Sequence, residues 1–339
     1  MKSATVFSLA CAAMLLGCNP PPAVERIPVR ISLHSPETRA VNFGVDGSIQ
    51  RATVYVLEPS ASDVSVPGNV VDIATFSSGE TEYELVTSMG QKYFFLALNG
   101  PAPGNPADYS SLKALTYSMD VSGGNSLART SGPLMTGLSN RTNVTTDMQG
   151  IPVSVNRKVF RINVAGITNS LPQHCNLTIL YAYLSNYVSN YSLGNGNAPS
   201  ISYGNPRGRN GGVINGTTVY SDNGYAAIPL AMSIGSGEVG TDYDGIGMYA
   251  FPNPCATDSW STTSTAPRKT RLVLVASVSG NVCYYPIPLN PQIQNCAYDL
   301  DIDIFNTGTS DPEEELPKGT LELNMAVRDW STINRNTNL

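Results

Sequence analysis

The chain has 339 residues, of which 41% are hydrophobic and 14% are charged, and its formal net charge is −6. At about 100–200 residues per domain, this length predicts two domains, and the charged fraction is below the roughly 25% that is usual for soluble proteins. The acidic net charge gives no indication of the basic patch that nucleic-acid binding needs, so we expect no nucleic-acid partner. The 17 tyrosines and the many small polar residues favour a β-rich extracellular protein.

The N-terminal segment has the pattern of a secretory signal. A single lysine precedes an apolar run at residues 4–16, which is too short to span a bilayer. The run ends in Leu-Leu-Gly-Cys at residues 15–18, a pattern that resembles the bacterial lipobox, in which the cysteine is diacylated and becomes the new N-terminus. We therefore expect residues 1–17 to be a cleaved lipoprotein signal peptide and Cys18 to carry the lipid. The alternative is an ordinary signal peptide with an incidental cysteine.

A short alternating segment follows the signal and predicts the first β-strand. One of its faces is apolar and consists of Ile27, Val29, Ile31 and Leu33. The strand leads into a small polar loop, "HSPETRAVNFG", that contains the Arg39–Ala40 bond. A protease that cuts after basic residues would therefore separate this strand from the rest of the chain.

Eight further segments are rich in β-branched or aromatic residues or alternate with a period of two, which is typical of strands. They lie at 53–58, 83–88, 92–99, 158–167, 177–184, 270–279, 298–305 and 320–327. One helix is predicted at 108–120, with Asp108 as its N-cap. The pattern predicts a mostly β protein of two β-sandwich domains with a boundary near residues 150–170.

Residues 186–225 differ from the rest because they are rich in Asn, Gly, Ser and Tyr and have few aliphatic residues. This composition predicts long surface loops or short edge hairpins. Tyr, Ser, Gly and Asn are also the residues that antibody paratopes use for contacts. The segment is therefore either a displayed contact surface or a variable loop without a ligand, and the second interpretation is favoured.

Four cysteines remain after the signal and the lipidated residue are set aside. Cys283 and Cys296 flank a predicted turn, so a disulfide could link them across a ladder, and buried thiols are the alternative. The spacings do not fit zinc, because there is no CxxC motif and the chain has two histidines, His34 and His174.

No catalytic constellation, metal site or cofactor is predicted. The two histidines are isolated in the sequence, and no GxSxG motif is present. Asp299, Asp301 and Asp303 share one face of a predicted strand and could hold a cation. We favour a solvated acidic face that blunts edge pairing.

The C-terminal strand repeats the pattern of the first one. Its apolar face consists of Leu321, Leu323, Met325 and Val327. A groove that one of these strands fills could accept the other, and the simpler alternative is that both are ordinary terminal strands. The chain continues through Trp330 into a polar tail that includes Ile333 and Leu339.

Several motifs together resemble the type V pilins, the fimbrillins of Bacteroidales bacteria. They are the lipobox cysteine and the segments "SPETRAV", "RATVYVLEP", "KYFFLALN", "PLMTGL" and "VNRKVFRINVAGI". The most specific are "YYPIPLN" and "NCAYDLDIDIFNTGTSDPEEELPKGTLELNMAVRDW". The resemblance covers nearly the whole chain. Gln294 and Cys296 depart from the family, in which a basic residue often precedes the Asn of this strand.

The resemblance implies two tandem transthyretin-like β-sandwich domains. The implied divisions are a signal peptide (1–17), a propeptide with a removable strand (18–39), an N-terminal domain (40–166) and a C-terminal domain with a donor segment (167–339). It also implies that a lipid-anchored precursor reaches the outer membrane, where a trypsin-like protease cuts at Arg39–Ala40 and removes the first strand. The C-terminal segment of another subunit then fills the groove, and whether the donor is the alternating strand or the polar tail stays open.

The resemblance implies a structural, non-enzymatic subunit of an adhesive cell-surface fimbria. Its expected partners are further copies of the chain in a head-to-tail filament, the anchor and tip subunits, the protease, and a surface ligand of unknown identity. Alternatives are a tip adhesin, a lipid-anchored fimbrial subunit and a glycan-binding surface lipoprotein. Trp260 is the one tryptophan before the C-terminal segment, so the aromatic platform that glycan binding needs has thin support.

Overall fold

A computed structural model describes residues 25–34, 49–77, 81–101, 103–118, 132–145, 150–194, 202–203, 209–214, 217–222, 228–240, 247–253, 269–289 and 293–329. The described residues are mostly β. Their strands are β1 (Arg26–His34), β2 (Arg51–Pro59), β3 (Pro67–Ser77), β4 (Glu82–Ser88), β5 (Gly90–Leu98), β6 (Thr116–Ser118), β7 (Met135–Leu138), β8 (Thr142–Val144), β9 (Gly150–Ser154), β10 (Asn156–Arg157), β11 (Phe160–Asn169), β12 (Leu177–Ser185), β13 (Val188–Ser192), β14 (Ser202–Tyr203), β15 (Arg209–Ile214), β16 (Thr217–Asp222), β17 (Ile228–Ile234), β18 (Val239–Gly240), β19 (Gly247–Ala250), β20 (Arg271–Val278), β21 (Asn281–Pro288), β22 (Cys296–Ile304) and β23 (Leu321–Asp329). Their helix is α1 (Tyr109–Ala114).

Two sheets enclose a core in the N-terminal half. One has the strand order β4-β1-β9, and the other has the order β10-β7-β5-β2-β3, with β8 paired to β5. The core between them contains the buried apolar residues of β1, together with Val54, Val56, Phe94 and Leu96 of β2 and β5. These strands are held together because their alternate side chains meet in this core.

Two further sheets enclose a second core in the C-terminal half. Their orders are β18-β11-β22-β23, with β19 paired to β11, and β17-β12-β20-β21. β11 and β22 run parallel, and the long apolar runs of β12 and β20 pair antiparallel. Continuous apolar runs are expected there, since both faces of such strands are covered.

A third apolar cluster lies between the two halves. It combines residues of β2 and β5, such as Tyr55 and Phe95, with residues of β13 and β19 and Phe251. Tyr191 stacks on Phe251 with ring centroids 4.9 Å apart, and such aromatic pairs contribute beyond their buried area. The two halves therefore share buried contacts.

All eight predicted strands are confirmed within a few residues, and the helix is shorter than predicted. The side chain of Asp108 accepts a hydrogen bond from the Ser111 N–H and so caps α1. The helix ends at Ala114, because the next residue, Leu115, has a non-helical ψ of 130°, and the chain continues into β6. The predicted domain boundary at 166 falls inside β11, whose whole length pairs with β18, β19 or β22 of the C-terminal half.

The prediction for residues 186–225 was wrong at its N-terminal end. Tyr187, Val188 and Leu193 are buried in the cluster between the halves or in the C-terminal core, and β13 pairs with β6 and β14. The predicted short hairpins are confirmed by β15 and β16, which pair antiparallel. The aromatic and aliphatic residues of 187–193 outweigh the polar composition because they reach an apolar cluster supplied by distant strands.

A buried ion pair attaches the loop between β22 and β23 to the C-terminal core. Nη1 of Arg271, whose side chain is 0% exposed, donates to Oε2 of the buried Glu313 at 3.3 Å. Tyr284 and Thr309 exchange two backbone hydrogen bonds of 2.9 Å nearby. The loop before β23 is therefore fixed to β20 and β21.

We expect Glu313→Ala to lower the free energy of unfolding by about 3–5 kcal/mol, because it leaves the Arg271 charge buried without this carboxylate. Urea denaturation would measure the change. Glu315→Ala is the matched control, since Glu315 is exposed in the same loop and its removal should shift stability by less than about 0.5 kcal/mol. Equal effects of the two substitutions would contradict this role of the ion pair.

Candidate functional site

β1 is the central strand of its sheet. It pairs antiparallel with β4, where Val29 lies opposite Leu85, and parallel with β9, where Ile31 lies opposite Ile151. The Leu33 N–H adds a 2.9 Å hydrogen bond to the Thr81 carbonyl. Among the described strands, neither β4 nor β9 pairs with anything except β1. Both neighbours therefore depend on β1 for their ladder hydrogen bonds.

The apolar face of β1 is fully buried. The four predicted residues are at most 6% exposed and belong to the N-terminal core: Ile27, Val29, Ile31 and Leu33. Buried residues of β4 and β9, including Tyr83 and Val153, flank them in the same core. Taking β1 away would leave an apolar groove between β4 and β9.

The outward face of β1 is ionic, a feature that the sequence analysis missed. Arg30 donates from Nη2 to Oε1 of Glu84 at 2.7 Å, and its Nη1 lies 3.9 Å from Oε2 of Glu82. The hydrogen bond to Glu84 is the main cause that raises the pKa of the Arg30 guanidinium. Arg26 pairs with Asp72, which also accepts a 2.6 Å hydrogen bond from the Thr87 hydroxyl. The signal in the sequence was the alternation of Arg26 and Arg30 with the apolar residues.

β23 is an edge strand and is much less covered than β1. It pairs only with β22 in the described part of the chain, in a nine-residue antiparallel register. Leu321 and Leu323 are half-buried against the C-terminal core. Met325 is 36% exposed and Val327 is 48% exposed. The apolar face of this strand is therefore only partly used within the chain.

The start of β23 is fixed independently of the strand itself. The N–H groups of Phe305 and Asn306 donate to the Thr320 carbonyl at 2.9 and 3.2 Å. Gly319 has a φ of +78°, a left-handed conformation that favours glycine. The chain therefore turns sharply just before the first apolar residue of β23.

Several predicted site residues lie outside the described residues. They are Cys18, Arg39, Ala40, Trp330, Ile333 and Leu339. Their roles stay predictions. Arg39 follows the end of β1 at His34 by five positions, and Cys18 precedes its start at Arg26 by eight.

No disulfide joins Cys283 and Cys296 in the structure, which agrees with the second of the two interpretations, that they are thiols. Cys283 lies on β21 opposite Ala276, whereas Cys296 begins β22 in the other sheet of the C-terminal half. Since β21 and β22 lie in different sheets, they do not form a hairpin. Burial raises the pKa of the Cys283 thiol.

The acidic face of β22 is not an edge, because β22 lies between β11 and β23. Asp299 accepts from the Asn163 amide at 3.1 Å, and Asp303 accepts from the Ser170 hydroxyl at 2.6 Å. These carboxylates therefore link neighbouring segments, and the predicted edge-blunting role was wrong. Within the described ranges, no group of three or more His, Cys, Asp or Glu side chains is arranged to hold a metal ion. No helix in these ranges has the length and hydropathy to cross a membrane.

Ile31→Ala should destabilise the chain by about 2–5 kcal/mol, because a fully buried side chain would be replaced by a cavity. Ser32→Ala, on the outward face of the same strand, should change stability by less than about 0.5 kcal/mol. Chemical denaturation of the uncleaved chain measures both. A small effect of Ile31→Ala would show that β1 is loosely packed.

No protein-family model matches the chain, and no curated protein matches it. Solved structures do match. A fimbrilin from Porphyromonas gingivalis W83 aligns with a TM-score of 0.57 and 17% identity over 91% of this chain and 98% of the other. A fimbrial assembly protein from Parabacteroides distasonis ATCC 8503 gives 0.53 and 14%, over 91% and 97%.

The tip fimbrial protein Mfa3 from Porphyromonas gingivalis, with a C-terminal truncation, gives a TM-score of 0.52 and 13% identity over 90% of this chain and 100% of the other. At these identities the likeness concerns the fold. The chain has the fold of these Bacteroidales fimbrial proteins, a likeness consistent with the type V pilin family that its motifs resemble.

Proposed function

We propose that this chain is the precursor of a structural fimbrial subunit that joins its neighbours by donor-strand exchange after proteolysis. The observation that carries the proposal is the position of β1, a fully buried central strand whose two neighbours have no other partner among the described strands. The fold shared with fimbrial proteins supports the same function. The role is mechanical, and the proposal includes no catalysis and no cofactor.

The proposed architecture is two transthyretin-like sandwiches in tandem. Its support is the pair of separate cores, each enclosed by two sheets. The predicted division into 40–166 and 167–339 would cut β11, so we propose a boundary just before β11, which pairs with β18, β19 and β22 of the C-terminal half.

In the proposed pathway, residues 1–17 direct secretion and Cys18 anchors the precursor in the outer membrane. A trypsin-like protease then cuts the Arg39–Ala40 bond. The cut separates β1 and the lipid anchor from the rest of the chain, because both lie on the N-terminal side of Arg39. The mature subunit would then leave the membrane surface, and its groove would open once β1 dissociates.

The open groove is the driving force of assembly in this proposal. Burying four aliphatic side chains stabilises a strand by up to about 6–12 kcal/mol, at about 1.5–3 kcal/mol each. Loss of β1 would also leave N–H and C=O groups of β4 and β9 without ladder partners, and a replacement strand could pair with them. Strand addition supplies main-chain hydrogen bonds and pockets for alternate side chains.

We propose β23 as the donor. It has the same four-residue alternation as β1, it lies at a sheet edge, and its apolar residues Met325 and Val327 are partly exposed. The tail with Trp330, Ile333 and Leu339 is the alternative donor. A contact between the groove of one subunit and the C-terminus of the next does not close on itself, so it propagates a filament at the cell surface. Its members would be copies of this chain or anchor and tip subunits.

The proposal is tested by digesting the purified precursor, without its signal peptide, with trypsin and following assembly by mass spectrometry and electron microscopy. We expect one early cut at Arg39, followed by oligomers. Arg39→Ala should block both events. A cut protein that stays monomeric and retains residues 26–39 would contradict the proposal, and truncation after Asp329 separates the two candidate donors.

Val327→Asp should abolish assembly while leaving the monomer folded, because Val327 is 48% exposed in the monomer but would be buried in the groove of a neighbour. Thr307→Asp is the control, since it adds the same charge at an exposed position in the loop before β23, outside the strand that would enter the groove. Oligomer yield after cleavage, measured by size-exclusion chromatography, distinguishes the two variants. Assembly of the Val327→Asp variant at the normal level would exclude β23 as the donor.

A further inference from the structure

Three carboxylates line the outer rim of the groove that β1 occupies. Glu82 and Glu84 project from β4, and Asp72 projects from the neighbouring strand β3. We define them as the acidic rim. Glu82 and Glu84 are 58% exposed, so they lie beside an incoming strand without being buried under it.

All the ion pairs that the described residues provide to the acidic rim come from β1. Arg30 pairs with Glu84 and lies within 3.9 Å of Glu82, and Arg26 pairs with Asp72. Both arginines precede the Arg39–Ala40 bond. Removal of β1 therefore leaves three negative charges beside the open groove, and none of these ion pairs survives.

β23 of a second copy does not restore the contacts of Arg30 with Glu82 and Glu84. If its four apolar residues occupy the positions of the four in β1, its central outward residue is Asn324, and Asn324 takes the place of Arg30. This holds whether the strand enters in the direction of β1 or in reverse, because residue 30 is the midpoint of 27–33 and residue 324 is the midpoint of 321–327. Opposite Glu84, a neutral amide replaces a guanidinium.

The ends of the incoming strand correct the mismatch in part at most. The outward face of β23 carries Glu322 and Arg328 in addition to Asn324 and Ala326, so its formal charge is zero, whereas Arg26 and Arg30 give β1 a charge of +2. In the direction of β1, Thr320 takes the place of Arg26. In the reverse direction Arg328 takes that place, but Glu322 then falls opposite Glu82, and like charges directly opposite one another destabilise a strand pair.

We propose that the acidic rim makes this groove selective for a donor strand with a basic residue at the centre of its outward face. The groove therefore binds the terminal strand of a fimbrial subunit that has such a basic residue more tightly than β23 of a second copy of this chain. This inference rests on the proposed function, since it requires that the groove accept a donor strand. Glu82 and Glu84 are the residues that determine the selectivity.

The test uses the trypsin-cleaved chain as acceptor and fluorescent peptides spanning Leu321–Asp329 as donors. The peptides have the natural sequence, Asn324→Arg or Asn324→Gln, and the last is the uncharged control for side-chain size. We expect the Asn324→Arg peptide to bind about threefold to tenfold more tightly at about 0.02 M salt, because it recovers a charge-assisted hydrogen bond to Glu84. The advantage should shrink at about 0.5 M salt.

A second acceptor identifies the residues responsible. In the double variant Glu82→Gln/Glu84→Gln, all three peptides should bind with similar affinity, and the exposure of both side chains makes the substitution compatible with the fold. Equal binding of the three peptides to the natural acceptor, or tightest binding of the natural sequence, would overturn the inference. If no peptide binds at any salt concentration, β23 is excluded as the donor and this inference fails with it, whereas the proposed function is tested separately by the assembly of the trypsin-cleaved chain.

Discussion

The main-chain pairing of β1 is the interaction on which the N-terminal half depends. Backbone N–H and C=O groups need partners when they are not solvated, and β1 supplies them on both sides at once. In the described part of the chain, β4 and β9 are joined only through β1, one antiparallel and one parallel. The sheet is thus built around a strand that lies on the N-terminal side of a basic residue in a polar loop. A single cut at Arg39–Ala40 would separate the central strand covalently from the rest of the chain, because β1 ends at His34.

β1 and β23 show how the same sequence pattern leads to two different structural roles. Both alternate four apolar residues with polar ones, yet β1 is buried between two strands and β23 lies at an edge. The difference comes from the surroundings: the apolar face of β1 meets the core formed by β2 and β5, whereas the second half of β23 extends past the core beneath it. The loop before β23 is separately attached through Arg271 and Glu313. A strand at an edge with a fixed starting point can change partners while the core below it stays intact.

Sequence reasoning found the elements whose signal is local. Alternation and β-branched residues gave the eight strands and the buried face of β1, because a period of two describes one strand at a time. Features that depend on which strands become neighbours could not be predicted from these local patterns. Cys283 and Cys296 are close in sequence but lie on strands of different sheets. β22 lies inside its sheet, although its acidic face suggested an edge strand. The acidic rim was missed for the same reason, since Glu82 and Glu84 become a site only beside Arg30.

Cleavage explains why a strand as well packed as β1 could be replaced at all. While β1 is part of the chain, its effective concentration at the groove is far above that of any strand in solution, and a donor of similar hydrophobicity cannot compete. After the cut, β1 is a separate fragment, and both it and the donor bind the groove as bimolecular ligands.

Two differences then decide whether the fragment or the donor occupies the groove. A donor strand on a large subunit can be held by contacts outside the groove, which the fragment lacks. The ionic contacts of Arg26 and Arg30 still favour the fragment over an uncharged strand. A donor with its own central basic residue removes that advantage, so the charge on the rim and the cut in the loop act on the same competition.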